Sequence, residues 1–116
     1  SKQSVLKKNK NFRTVYRHGK SWANRMAVLY VLPQPKQTAA QRRVGFVTGK
    51  KLGGAVMRNR AKRLMKEAYR LLQYRLIDGV DLVLVGRASL VNSNCQAVQK
   101  ALIELFNRAQ VIKKEK

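Results

Sequence analysis

Acidic residues are scarce in this chain. Asp and Glu total 5 against 26 Lys and Arg, a formal charge of +21 on 116 residues. That imbalance excludes a neutral metabolic enzyme and an acidic binding module, and it points to a polyanion as partner. The acids are Glu67, Asp78, Asp81, Glu104 and Glu115, and only Asp78 and Asp81 are neighbours. Two-metal phosphoryl chemistry needs several carboxylates converging on ions about 4 Å apart; these two read more simply as turn and strand-entry residues. Cysteine and histidine are represented once each, by Cys95 and His18, whereas a zinc site takes about four ligands. Neither a catalytic side chain nor a protein-held metal is therefore expected. One cysteine also forbids an intramolecular disulfide and suits a reducing compartment. The longest apolar run, Met26–Leu32, is seven residues, far below the roughly 20 that span a bilayer. No apolar signal region follows Ser1-Lys2-Gln3-Ser4, so the reading is cytoplasmic, with no membrane partner and no small-molecule substrate.

What is present is an ordinary core. Leu, Ile, Val and Phe make up 32 of 116 residues, above the level at which disorder becomes the default, so a fully disordered basic tail is excluded too. The length fits one domain, 1–116, with loose basic ends at 1–8 and 111–116. Phe12, Val15 and Tyr16 are spaced to share one face of a short helix, with Asn9 or Asn11 placed to cap it and Gly19 suited to a left-handed position past its end. Trp22–Leu32 reads as a strand, 34–41 as a loop, and Arg43–Thr48 as a second strand whose Val44 and Phe46 alternate with Gly45 and Val47. Residues 49–54 read as a short strand or bend.

The clearest periodicity follows. Met57, Ala61, Leu64, Met65, Ala68, Leu72 and Leu76 recur at steps of 3 and 4, the signature of a long amphipathic helix. Asp78-Gly79 signals a turn, and Val80–Val85, almost wholly apolar, a strand buried on both faces. Val98, Ala101, Leu102, Leu105, Phe106 and Ala109 mark a last helix, with Ser93 and Gln96 at capping-box spacing. The order α-β-β-β-α-β-α is that of a single-domain α+β sandwich. Its strand–helix–strand unit over 43–87 implies a parallel pair, by default with a right-handed crossover.

Two groups of residues point to nucleic acid. Arg58-Asn59-Arg60-Ala61-Lys62-Arg63 crowds cations into the first turns of the long helix, where backbone N–H groups already favour phosphate. An ordinary solvated face would alternate Glu with Lys, yet Glu67 is the only acid nearby, and Lys66 adds a further cation. Phe12 and Tyr16, interleaved with Lys10, Arg13 and Arg17, suit a stacking platform beside an electrostatic groove as well as they suit a core. Tyr30 on the first strand extends that platform, in the manner of sheets that read single-stranded RNA. His18, at the helix end, is either a solvated residue by the carbonyl dipole or a phosphate contact.

These residues also resemble a known family. Asn11-Phe12-Arg13-Thr14-Val15-Tyr16-Arg17-His18-Gly19, then Ala23-Asn24-Arg25, Arg43-Val44-Gly45-Phe46 and the run Lys50-Lys51-Leu52-Gly53-Gly54-Ala55-Val56-Met57-Arg58-Asn59-Arg60-Ala61-Lys62-Arg63 are similar to the bacterial ribonuclease P protein subunit, from about residue 5 to 110 in the same order. Two departures are mild: Tyr16 stands where Phe is common, and Gly54 where Asn is usual. The resemblance implies a ribosomal-protein S5 second-domain-like sandwich with a left-handed crossover, against the default. It implies a catalytic RNA that carries the active centre with Mg2+ and removes the 5′ leader of precursor tRNA. It further implies a leader cleft of Phe12, Arg13, Tyr16, Val28 and Tyr30 with Lys50 and Lys51 at its rim, and a catalytic-RNA face of Arg58, Asn59, Arg60, Lys62, Arg63 and Lys66. The rival from another class is a structural RNA-binding protein, such as a ribosomal one, with no enzymatic complex; the RNA retained in a pull-down separates the two.

Overall fold

The fold is that of a computed structural model, which describes residues 4–5, 9–36 and 41–114. The side chains of residues 4, 5, 9 and 10, the middle of the 34–41 loop and the last two residues of the basic tail lie outside that description. The elements are β1 (Ser4–Val5), α1 (Asn9–His18), β2 (Lys20–Ala23), β3 (Ala27–Pro33), β4 (Arg43–Thr48), α2 (Ala55–Leu72), β5 (Val80–Gly86) and α3 (Cys95–Arg108), with 3-10 turns at Lys50–Leu52, Gln73–Arg75 and Ala88–Asn92. One mixed sheet has the order β1-β4-β5-β3-β2. β4 and β5 run parallel and are joined through α2, whereas β3 pairs antiparallel with both β5 and β2. β5 is central, which is why its sequence is apolar from Val80 to Val85 except for Asp81.

The sheet has two unlike faces. Ala27, Leu29, Val31, Val44, Phe46, Leu82 and Leu84 pack on Met65, Ala68, Tyr69 and Leu72 of α2 and on Val98, Leu102, Leu105 and Phe106 of α3, forming the main core. The opposite face carries α1, whose buried Val15 sits on Val83, with Phe12, Tyr30, Leu32, Val47 and Val85 only partly buried around them. A single ten-residue helix cannot cover this face, and it stays half open.

The α+β sandwich with one mixed sheet stands as expected, but several local expectations need correction. Trp22–Leu32 is not one strand but the hairpin β2–β3, because Asn24 breaks it: its Oδ1 accepts from the backbone N–H groups of Met26 (3.0 Å) and Ala27 (3.1 Å), turning the chain with its own side chain. The 49–54 segment holds a 3-10 turn, so the count of three strands between α1 and α2 holds with different members, β2, β3 and β4, while β1 adds a fourth ahead of α1. Gly19 is not left-handed; the described glycines with positive φ are Gly53 and Gly79. A Cβ at Gly19 would lie 2.6 Å from the Val15 carbonyl oxygen and 2.8 Å from that of Val31, so close approach demands glycine there. The cap of α3 is Asn94, whose side chain accepts from Ala97 N–H, rather than Ser93. Neither end is wholly loose. Ser4 and Val5 pair with Arg43 and Val44, Val111 is buried, and Lys113 N–H donates to Arg75 O at 2.8 Å.

Arg42 is a residue the sequence does not single out. Its guanidinium donates to Tyr69 Oη (2.6 Å) and to the carbonyls of Gln73 (3.1 Å), Leu76 (3.0 Å) and Ile77 (3.0 Å), gathering the end of α2 onto the start of β4. It also lies 5.7 Å from the centroid of the Tyr69 ring.

Candidate nucleic-acid interface

The open sheet face is the first candidate surface. Phe12, Arg13 and Tyr16 of α1 and Val47 of β4 line a depression of about 450 Å³. Tyr16 meets Tyr30 edge to face, with ring centroids 4.8 Å apart and planes at 73°. Tyr16 is 39% exposed, so the contact holds the ring upright while leaving a face to solvent. Partial burial, and then the neighbouring Tyr30, push the Tyr16 phenol above its ordinary pKa, so the ring is neutral at physiological pH. Val28 lies on the same sheet face as Tyr30 by strand alternation and pairs in register with Val85, but it does not line the depression. Lys50 and Lys51 are exposed in the turn that follows β4, beyond Val47 rather than within the hollow. Val47 itself was legible from its alternation against Val44 and Phe46, although only the fold shows that Phe12 lies across from it.

The basic helix is the second surface. Gly53 takes φ 120° and Gly54 precedes α2 in an extended conformation, so the chain enters the helix with no side-chain cap and no acid in the first turn. Ala61, Met65, Ala68, Tyr69 and Leu72 face the core. Asn59, Lys62, Arg63 and Lys66 line an open groove of about 480 Å³ with Val56, which is 80% exposed. The Arg-Asn-Arg run is thereby divided. Asn59 faces the groove, Arg58 is half-buried, and Arg60 Nε donates to Val91 O at 3.1 Å across the turn before α3. Val56 is the residue missed here, and an apolar side chain in the first turn of a cationic helix was the available signal.

Charge is arranged to leave both surfaces uncompensated. Among the described residues the ion pairs are Arg42–Asp78, Arg43–Asp81, Arg70–Glu67 and Arg108–Glu104. None involves Arg13, Arg17, Lys50, Lys51, Arg58, Arg60, Lys62, Arg63 or Lys66. Asp81, the acid on the cleft face of β5, is 5% exposed and gripped at both oxygens by Arg43, at 2.8 and 2.6 Å, with Gln34 Nε2 at 3.0 Å. The one described acid on this sheet face is thus neutralised within the fold. Among the described residues no helix is long and apolar enough to cross a membrane.

Known proteins are similar to this chain in sequence and in fold. The chain matches the Ribonuclease P family model over residues 1–110. It is 42% identical over 111 residues to the ribonuclease P protein component of Clostridium botulinum (strain Langeland), covering 95% of this chain and 97% of that one. It is 40% identical over 107 residues to that of Clostridioides difficile (strain 630), covering 91% of each. Its fold superposes on an RNase P protein of Staphylococcus aureus with a TM-score of 0.82 at 29% identity, over 97% of this chain and 100% of that one. The corresponding protein of Thermotoga maritima gives a TM-score of 0.79 at 25% identity, over 91% and 97%.

Proposed function

Because the chain belongs to the ribonuclease P protein family, we propose that it binds the catalytic RNA of ribonuclease P and the single-stranded 5′ leader of precursor tRNA, and so aids removal of the leader in the cytoplasm. The observation that carries this reading is the pair of surfaces themselves: an aromatic depression open on one sheet face, and beyond it a basic helix that carries no acid before Glu67. Bases of a single strand stack on Phe12, Tyr16 and Tyr30, while Arg13, Lys50 and Lys51 attract its phosphates. Arg58, Asn59, Arg60, Lys62, Arg63 and Lys66 meet the catalytic RNA, whose folded backbone supplies the polyanion that +21 charges require.

The chemistry is assigned to the RNA. Four acids of this chain are bonded to arginines. Mg2+ prefers hard oxygen ligands and retained waters, which phosphates provide. The protein's own contribution is to hold the substrate leader and to neutralise backbone repulsion around the RNA-centred site. Reconstitution tests this reading. The protein alone is expected to leave precursor tRNA intact, and the protein with the catalytic RNA to cleave it and to bind precursor more tightly than mature tRNA. A protein that binds ribosomal RNA and changes neither property of the catalytic RNA would overturn it.

A further inference from the structure

α1 has a second hollow on its outer side. Arg13, Thr14, Arg17 and His18 line a depression of about 340 Å³, next to the one formed by Phe12, Arg13, Tyr16 and Val47. Arg13 is the wall common to both. One hollow is aromatic and apolar, the other cationic, and residues one helical turn apart are about 5–6 Å apart at their Cβ atoms, which is the scale of a single nucleotide. No described ion pair engages Arg13, Arg17 or His18, and the chain holds no acid before Glu67. Cations in the last turn of a helix do favour its carbonyl end. That effect accounts for Arg17 and His18 at the end of α1 but not for Arg13, nor for the adjoining hollow.

We propose that the outer hollow is a phosphate seat, in which Arg13, Arg17 and His18 hold a backbone phosphate of single-stranded RNA whose base lies in the Phe12–Tyr16–Val47 depression. The proposal rests on the leader reading above and deepens it. The leader crosses α1 with its bases toward the sheet and one phosphate over the outside of the helix. Guanidinium forks suit phosphate oxygens, and the imidazole adds a donor beside them.

The test uses the reconstituted ribonucleoprotein and precursor tRNAs carrying one neutral methylphosphonate at successive leader positions. In the unaltered complex, one position is expected to weaken precursor binding by roughly tenfold, the scale of a charge-assisted hydrogen bond. With Arg17→Gln, the penalty at that position should largely vanish and the log–log salt slope should shrink by about 0.7, the single-strand value for one phosphate. With His18→Gln, which removes a donor but no counted charge, the penalty should fall with the slope little changed. Equal penalties in altered and unaltered complexes at every position overturn the seat, as does a fall in melting temperature of the Arg17→Gln protein with no such coupling. Tyr16→Leu separates the two readings. If it narrows the precursor-to-mature preference while Arg17→Gln shows no coupling, only the seat is lost; if neither variant has an effect, the leader cleft falls and the seat with it.

Discussion

Arg42 with Tyr69 and Arg13 with Tyr16 are two arginine–tyrosine groupings put to opposite use. The first is closed. Tyr69 is 1% exposed, and the Arg42 guanidinium is spent on its hydroxyl and on three backbone carbonyls. The second is open: Tyr16 is 39% exposed, and Arg13 stands between two hollows with no acid to meet it. Residue type is the same in both, and surroundings decide. Where a guanidinium finds the orphan carbonyls of a helix end, it becomes part of the fold. Where it finds only solvent and aromatic faces, it stays outside the fold's own ion pairs. A count of cations therefore overstates the binding surface, since Arg42 and Arg43 are engaged internally.

The sharpest way to break this comparison is Arg42→Ala. It would strand four acceptors, and at about 1 kcal/mol each, less what water recovers, the expected loss is roughly 3 kcal/mol of stability. Urea unfolding should show a lower midpoint with an unchanged slope, while the refolded fraction binds RNA normally. An Arg42→Ala protein of unaltered stability but weakened RNA affinity would show that this arginine belongs with Arg13 after all.

Tyr16→Leu probes the open grouping. The substitution keeps an apolar side chain beside Tyr30 but removes a stacking surface worth about 1–3 kcal/mol per base. The precursor-to-mature tRNA affinity ratio should fall by roughly tenfold, with assembly on the catalytic RNA and the melting temperature little changed. A destabilised protein that keeps its precursor preference would move Tyr16 into the core.

Much of this division was legible in the sequence, and its limits have physical causes. The period of α2 and the apolar run of β5 are strong because each element buries a continuous face or both faces. The β2–β3 break was hidden because Asn24 makes a turn with neither Gly nor Pro. Arg42 was invisible because its partners are the backbone carbonyls of Gln73, Leu76 and Ile77, and carbonyls leave no trace in side-chain patterns. The aromatic cleft was half legible. The helical spacing of Phe12 and Tyr16 allows core or platform equally, and their partial exposure comes from a second, thinly covered sheet face that no spacing announces.

A smaller effect divides the Arg-Asn-Arg run. Arg58→Ala and Arg60→Ala should each reduce the log–log salt slope for the catalytic RNA by about one if each meets one phosphate. Arg60 also donates to Val91 O, so its loss should cost about 0.5–1 kcal/mol of stability in addition. Equal salt slopes before and after would place both arginines outside the RNA contact.

The smallest effect returns to the two tyrosines, through alkaline pH. Burial pushes the Tyr69 phenol above its ordinary value of 10.0, outweighing the bond from Arg42 that acts the other way. For Tyr16, burial and then Tyr30 raise it. A raised phenol means that the folded chain holds the proton more tightly than the unfolded chain does. Below pH 10 neither state ionises, and the contribution to stability is whole. Above it the unfolded chain ionises first, and stability falls as pH climbs toward the folded-state value. Unfolding measured between pH 8 and about 11 should therefore steepen downward at the alkaline end, beyond what lysine titration alone produces. Tyr69→Phe lowers stability at every pH, because Arg42 loses a partner, but it should flatten that alkaline slope. Tyr16→Phe should flatten it less, since its ring is the more exposed and solvent screens what the phenol feels. Equal flattening by the two would mean that Tyr16 is as enclosed as Tyr69, and the contrast between a closed and an open arginine–tyrosine grouping would fail at its foundation.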